Sequence, residues 1–310
     1  MDETLCLEVW DRLIQGRSLD GLQLGRREGR VDLRGLNLPA PIVWRKYRFQ
    51  KKIIAEIDPA ATLHDAKCHD LDFSGSRLDG LRLHGCEFVN CRFDGCHLCD
   101  VRIWASTFSQ CSFRGAKLGG AMLGAVDNGR RNAFTDVDFS TADLRATKYQ
   151  AAAFVRCDFG NAKLENIDFQ TSTFVDCRFE GELRDVLFYR RAFGGDSWPE
   201  NEMINVDLSR TELHDVGFRN LSLERVKLPE NPRHIIISDA ADKLDKITSQ
   251  LEQAGDPAAR KLIAFLGITR KWIPSSQARA VINVEDLVET LGAETAQRLN
   301  GILRPDAGAQ

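Results

Sequence analysis

Four cysteines of this 310-residue chain, Cys86, Cys91, Cys96 and Cys99, lie within one short stretch, and thiolates at such spacing are the usual makings of a tetrahedral zinc site. His64 and His84 stand 20 residues apart, and Trp104 follows at the same interval. Arg82 and Arg102 precede His84 and Trp104 by two positions each. Imidazole serves as a metal ligand or general base, and Arg and Trp are favoured anchors of protein interfaces. Which of these chemistries is open depends on how the chain spaces the residues in three dimensions.

The spacing is set by a period of five. Large apolar residues run Phe73, Leu78, Leu83, Phe88, Phe93, Leu98, Ile103, Phe108, Phe113, Leu118 and Leu123, and two positions before each stands a small or aliphatic residue such as Ser76, Cys86, Cys91, Cys96 or Ala116. A second block continues from Phe134 through Phe139, Leu144, Tyr149, Phe154, Phe159, Leu164, Phe169 and Phe174 to Phe179. A third holds Leu208, Leu213, Phe218, Leu223 and Leu228. Five matches neither the helical period of 3.6 nor the strand period of 2. A chain that turns a corner once per repeat satisfies it, pointing the large residue and the small one before it inward. Gly75, Gly80, Gly85 and Gly95 follow large residues where a corner needs permissive φ.

The strings Ala116-Lys117-Leu118-Gly119-Gly120, Ala142-Asp143-Leu144-Arg145-Ala146 and Ala162-Lys163-Leu164-Glu165-Asn166 resemble those of pentapeptide-repeat proteins. The resemblance covers roughly residues 61–228 and implies a mainly β fold, a right-handed quadrilateral β-helix with four repeats per coil. Identical residues 20 apart support that coil independently: Phe73, Phe93 and Phe113; Phe88 and Phe108; Leu78, Leu98 and Leu118. Such columns predict stacked coils about 4.8 Å apart and a rod of roughly 35 to 40 Å.

On this frame Cys86, Cys91 and Cys96 fall on successive faces and cannot converge on one metal, so they read as small buried hydrophobes. Cys91 with Cys111, and Cys157 with Cys177, stack one above the other. His64, His84 and Trp104 form an outward column on the third face, with Arg82 and Arg102 one column over. No carboxylate or cysteine completes a catalytic or metal constellation around the histidines. No nucleophile motif, phosphate loop or metal-binding helix stands elsewhere. A non-enzymatic protein without cofactor or metal is expected.

Two insertions interrupt the count. With Phe73 on face 1, Leu123 is on face 3 and Phe134 on face 4, so about six extra residues within 124–133 (GAVDNGRRNA) bulge after face 3. Leu183 is on face 2 with one residue missing, and Phe188 on face 3. The stretch 189–202 (YRRAFGGDSWPENE) then leaves the same corner about three coils, or roughly 14 Å, further on. Loops on a rigid scaffold are where binding concentrates. The candidate partner-binding residues are therefore Arg82, His84, Arg102, Trp104, Arg130, Arg131, Tyr189, Arg190, Arg191 and Trp198.

A solenoid needs caps at its open ends. Residues 3–15 place Leu5, Val9, Leu13 and Ile14 on one helical face with Gly16 as stop, and Val31, Leu33, Leu36 and Leu38 read as an early coil before Pro39 and Pro41. Residues 42–57 carry Arg45, Lys46, Arg48, Lys51 and Lys52, read as the solvated face of a capping element. Beyond Leu228 the pattern becomes helical: 240–254, 257–265 opened by Asp256 and Pro257, and one or two helices in 284–303. The expected organisation is a capping region at 1–60, a β-solenoid at 61–228 and a helical region at 229–310. In the last, Leu262, Phe265, Leu266, Trp272, Ile273 and Leu287 are available to cap the rod or to hold a second copy as a homodimer.

Composition bounds the partners. The chain is 43% hydrophobic and 28% charged with a formal charge of −3, which favours neither nucleic acid nor an anionic membrane. No run of ~18 apolar residues and no secretory signal is seen, so a cytoplasmic protein with nine reduced cysteines is expected. The resemblance implies a protein partner: some members of that family bind DNA gyrase and protect it from quinolones or peptide toxins, with acidic rods that imitate duplex DNA, and one subgroup carries two projecting loops. Residues 61–228 hold 25 acidic and 21 basic side chains, a weak excess for charge mimicry. The alternative is a protein-interaction scaffold unrelated to topoisomerase, working through the C-terminal helices.

Overall fold

The computed structural model describes residues 2–38, 62–191, 198–274 and 278–304, together with the backbone of an antiparallel pair, Arg45–Phe49 with Lys52–Glu56. Pro39, Pro41 and the side chains of the basic stretch 42–57 lie outside the described residues. The chain falls into two compact units, Met1–Ile167 and Asp168–Gln310.

The first unit opens with helix α1 (Glu3–Ile14), whose first turn is capped by Asp2 accepting from the Leu5 N–H at 2.8 Å. Gly16 then takes φ +63° and ends it. The helix buries Val9, Trp10 and Leu13, and the Trp10 indole donates to the Asn37 carbonyl at 2.6 Å. Ile14, expected on the buried face, is exposed, and Trp10 takes that place. The early coil is present: Val31 pairs with Leu71 in parallel and Asn37 bridges Arg77.

From Thr62 onward the backbone winds in coils of 20 residues. Leu63, Leu83 and Ile103 are parallel partners on one face, and Cys68, Phe88, Phe108, Phe134 and Phe154 on the next. The remaining faces are laddered by Asp72, Arg92, Ser112, Asp138 and Asp158, and by Arg77, His97, Lys117, Asp143 and Lys163. Because the coils are in register, like side chains stack: Phe73 on Phe93 on Phe113 at 5.0 and 4.7 Å, Phe88 on Phe108 at 4.9 Å. Rings of adjacent columns meet edge to face, as Phe88 does with Phe93 at 5.5 Å. Both arrangements suit the ring quadrupole and add about 0.5–1.5 kcal/mol per pair beyond area burial. Left-handed corner positions are filled by Gly75 and Gly80, or by Asn90 and Asp100, the side chains that tolerate positive φ.

The second unit winds by the same rule. Phe169, Phe188 and Phe218 stack at 5.1 and 5.4 Å, and Leu183 pairs with Leu213. The missing residue shows as a register shift: Arg178 pairs with Asp207, but Glu180 with Arg210. An antiparallel pair that the sequence reading did not anticipate, His234–Ile237 with Ala280–Asn283, follows the last coil. Helices α2 (Ala240–Ala254), α3 (Pro257–Arg270), α4 (Val284–Leu291) and α5 (Ala293–Leu303) pack with it. Asp256 caps α3 by accepting from the Ala259 N–H at 2.8 Å. Leu262, Leu266, Ile273 and Leu287 are buried in this unit's own core. That corrects the reading in which they stand available to a second copy; only Phe265 and Trp272 of that set are part-exposed.

Candidate functional site

In the first unit the outward side chains of the third face form a ladder of rings. His64 stacks on His84 with centroids 5.0 Å apart, and His84 on Trp104 at 4.2 Å, nearly parallel. The parallel register Leu63, Leu83, Ile103 puts each ring directly above the previous one. Burial within the stack, and next the neighbouring His64, hold the His84 pKa below its ordinary value, while Asp127 and Asp65 pull it back.

Arg82 and Arg102 are parallel partners, as their spacing predicts, but their roles differ. Arg82 is only 4% exposed. Its Nη1 donates to the carbonyls of Gly80, Leu81 and Asp100 at 2.7, 3.3 and 2.6 Å. It builds the corner, and its candidacy as a surface contact is corrected: the bonds to these carbonyls hold it inside. Arg102, one coil on, is exposed.

The first insertion is built as a rigid hairpin tip, not a slack bulge. Asp127 and Arg130 exchange backbone hydrogen bonds of 3.0 and 2.8 Å, with Asn128 at φ +47° and Gly129 at φ +72°. Asn-Gly with both φ positive is the type I′ turn, a signal present in the sequence that the reading passed over. At its base Asn132, fully buried, accepts from the Ser106 N–H at 2.9 Å and donates to the Ile103 and Leu123 carbonyls at 2.7 and 2.8 Å. Asn132 stands two positions before the inward Phe134, where repeats elsewhere hold a small residue. One amide therefore reproduces hydrogen bonds that the interrupted backbone cannot make. The extra residues lie between Leu123 and Phe134, the corner after face 3, as counted from the sequence.

The tip folds back toward the ring ladder. A Cβ on Gly85 would stand 3.4 Å from Arg130 Nη2 and against the Asp65 carboxylate, which places this guanidinium beside the corner next to His84. Arg131 is part-buried, and burial lowers its pKa; its Nη1 has no hydrogen-bond partner among the described residues. None of Arg102, Arg130 and Arg131 takes part in a side-chain ion pair among the described residues.

In the second unit the other insertion falls between Phe188 and Met203, again after face 3 by the five-residue count. Residues 192–197 lie outside the described residues. Arg190 and Arg191 share Glu200, at 2.7 and 2.5 Å, so their charges are compensated. Tyr189 hydrogen-bonds to Asp168, and Trp198 is half-buried. Asn201, fully buried and two positions before the inward Met203, accepts from the N–H groups of Met203 and Phe174 at 3.1 and 3.3 Å. Both insertions thus close on an asparagine, a device not singled out from the sequence.

The clustered cysteines point inward. Cys86, Cys91 and Cys96 each donate a thiol hydrogen to a carbonyl 23 residues earlier, those of Leu63, Cys68 and Phe73. Burial pushes the Cys68 and Cys96 thiols up to about 12, where the nucleophilic thiolate is absent at neutral pH. Among the described residues no three His, Cys, Asp or Glu side chains gather as a metal site, and no helix is long and apolar enough to cross a membrane.

A family model described as pentapeptide repeats matches residues 60–95 in eight copies. No curated protein matches the chain. Similar solved structures include QnrB1, a plasmid-mediated fluoroquinolone resistance protein, at 18% identity over 51% of this chain and 83% of that one, with a TM-score of 0.27. Another is HetL from the cyanobacterium Nostoc sp. strain PCC 7120, involved in regulating heterocyst differentiation, at 14% identity over 55% of this chain and 90% of that one, with a TM-score of 0.32. The repeat match, the 20-residue register and the inward columns agree: the repeat region is similar to pentapeptide-repeat proteins and is folded as a β-helix.

Proposed function

We propose that this chain is a binding protein, with no catalytic role, that offers the turn at 127–130 and the adjoining His84–Trp104 ladder to an acidic surface of a protein partner. The observation that carries this reading is the contrast between build and charge. The turn is held by a buried amide and a type I′ geometry, yet among the described residues none of Arg102, Arg130 and Arg131 around it is closed into a side-chain ion pair, and the Asp65 carboxylate stands beside Arg130. A pre-ordered loop loses little entropy on binding, and arginines not closed into ion pairs, beside aromatic edges, are what interface anchors consist of. Three guanidinium groups are few for tracking a nucleic acid backbone, which takes a longer basic stripe.

The family resemblance names a specific candidate partner, DNA gyrase or a related topoisomerase. The small acidic excess of the repeat region argues that such contact runs through the turn and not through imitation of DNA charge. Supercoiling by purified gyrase, with and without a fluoroquinolone, tests it in the presence of the full chain and of Arg130→Glu. Inhibition or protection at low micromolar concentration, lost in Arg130→Glu, supports the topoisomerase reading. No effect of the unaltered chain at high concentration overturns it for that enzyme.

A scaffold role through the C-terminal region is the second reading, favoured by an open cleft beside the last coil.

A further inference from the structure

Among the inward aromatic rings of the described coils, Phe218 alone is not buried. One of its faces lies on Phe188 at 5.4 Å, nearly parallel, and Phe188 lies in turn on Phe169. On every other aromatic column the next coil or a cap covers the last ring. Here the winding ends at Leu228 before it returns to this face, and Phe218 instead lines a cleft of about 310 Å³ between the last coil and the C-terminal helices. Phe265, Ile268 and Trp272 form one wall, and Asp215 and Asp286 stand on another.

The volume is at the lower end for ligand sites, enough for one or two side chains and not for a helix. Its rim runs on over apolar surface at Ile268, which is 67% exposed. The charges are one-sided. The arginines of the cleft are engaged, Arg219 lying 4.3 Å over the Trp272 ring and Arg279 donating to the Val226 carbonyl at 3.1 Å. The acidic wall is not matched in this way. Asp286 accepts from the Asp215 N–H at 2.9 Å and has His214 at 3.7 Å, while the nearby carboxylates of Asp215 and Glu289, after burial, push its pKa up.

We infer that this cleft is a docking site for a segment of a partner protein carrying an aromatic side chain with a Lys or Arg beside it. The aromatic ring adds a fourth member to the Phe169–Phe188–Phe218 stack, and the basic group meets Asp215 and Asp286. Offset stacking on an existing column and charge complementarity at its edge supply the specificity. The exposed Ile268 at the rim favours a peptide over a free aromatic amine, which would leave it uncovered. The site is independent of the turn at 127–130, so either proposal fails or stands without the other.

Panning a random peptide library against the full chain tests this, followed by titration of one enriched, labelled peptide. Enriched sequences are expected to share an aromatic residue adjacent to Lys or Arg. Their binding should weaken at least about tenfold in Ile268→Asp, a surface change compatible with folding, checked by circular dichroism. Asp286→Asn, which retains an acceptor for the Asp215 N–H, should weaken the enriched peptide but not its Arg→Gln analogue. Enrichment of peptides lacking an aromatic residue, no enrichment, or binding indifferent to Ile268→Asp overturns the proposal. So does full displacement of the peptide by phenethylammonium at equal concentration, which would assign the cleft to a small amine.

Discussion

His234 and Asn283 stand opposite each other in the antiparallel pair of the C-terminal region, and between them they hold both backbone groups of Leu213. The Leu213 N–H donates to His234 Nε2 at 3.1 Å, and Asn283 Nδ2 donates to the Leu213 carbonyl at 2.6 Å. Two side chains thus stand in for the strand that the next coil would have supplied, and an otherwise open edge is closed.

This contact makes the cap acid-sensitive. His234 Nδ1 donates to Asn231 Oδ1 at 2.9 Å, so the ring is neutral with Nε2 free to accept. Burial first, then the charges of His214, Arg233 and Arg304, hold its pKa below the ordinary 6.5, against the pull of Glu212. Between the folded and the ordinary value the unfolded chain binds more protons. Stability is therefore complete above about pH 6.5 and falls as pH drops below it, levelling off once the folded ring also protonates. In urea unfolding, His234→Asn should show a smaller loss than the unaltered chain between about pH 7.5 and about pH 5.5. An equal loss would place the sensitivity elsewhere.

The two loop-closing asparagines should respond differently to the same changes. Asn132 uses its oxygen and both hydrogens, whereas Asn201 uses its oxygen and leaves Nδ2 unpartnered. Asn132→Ala strands one buried donor and two carbonyls, a cost of about 3 kcal/mol or more. Asn132→Asp, which forfeits the donated bonds and sets a carboxylate against two carbonyls, should be worse than Asn201→Asp. Denaturant midpoints of the three single variants would show the ordering.

Gly124 and Gly129 sit in one loop for separate reasons. A Cβ on Gly124 would fall 2.5 Å from the Gln150 nitrogen and 2.9 Å from Tyr149 Cα, both backbone atoms. Gly129 has open space but φ +72°. Gly129→Ala should cost only the left-handed backbone penalty, about 1 kcal/mol. Gly124→Ala must displace the neighbouring coil and should cost about 1–3 kcal/mol, measured by thermal unfolding.

Thiol labelling should separate the cysteines by burial. Seven are buried, and Cys6 and Cys99 are part-exposed. In the native state only those two should be alkylated, with the rest appearing once denaturant is added. Rapid native labelling of Cys86, Cys91 or Cys96, located by mass spectrometry, would contradict their inward placement.

Much of this architecture is written in the chain because a β-helix repeats each local environment every 20 residues. Phe88, Phe108 and Phe134 occupy one environment, so their identity and spacing announce the column, and the count of extra residues places each insertion after face 3. What occurs once leaves no period to read. That Arg82 turns inward while Arg102 stays out, that Glu200 compensates Arg190 and Arg191, and that Asn132 substitutes for missing backbone all depend on distances set by other coils. The pairing of His234 with Asn283 joins residues almost 50 positions apart. The sequence by itself determined the repeat, the inward columns and the corners where loops leave. Only the tertiary structure decided which polar groups those corners consume and which they leave free, because hydrogen-bond partners are chosen by proximity in space and not by position in the repeat.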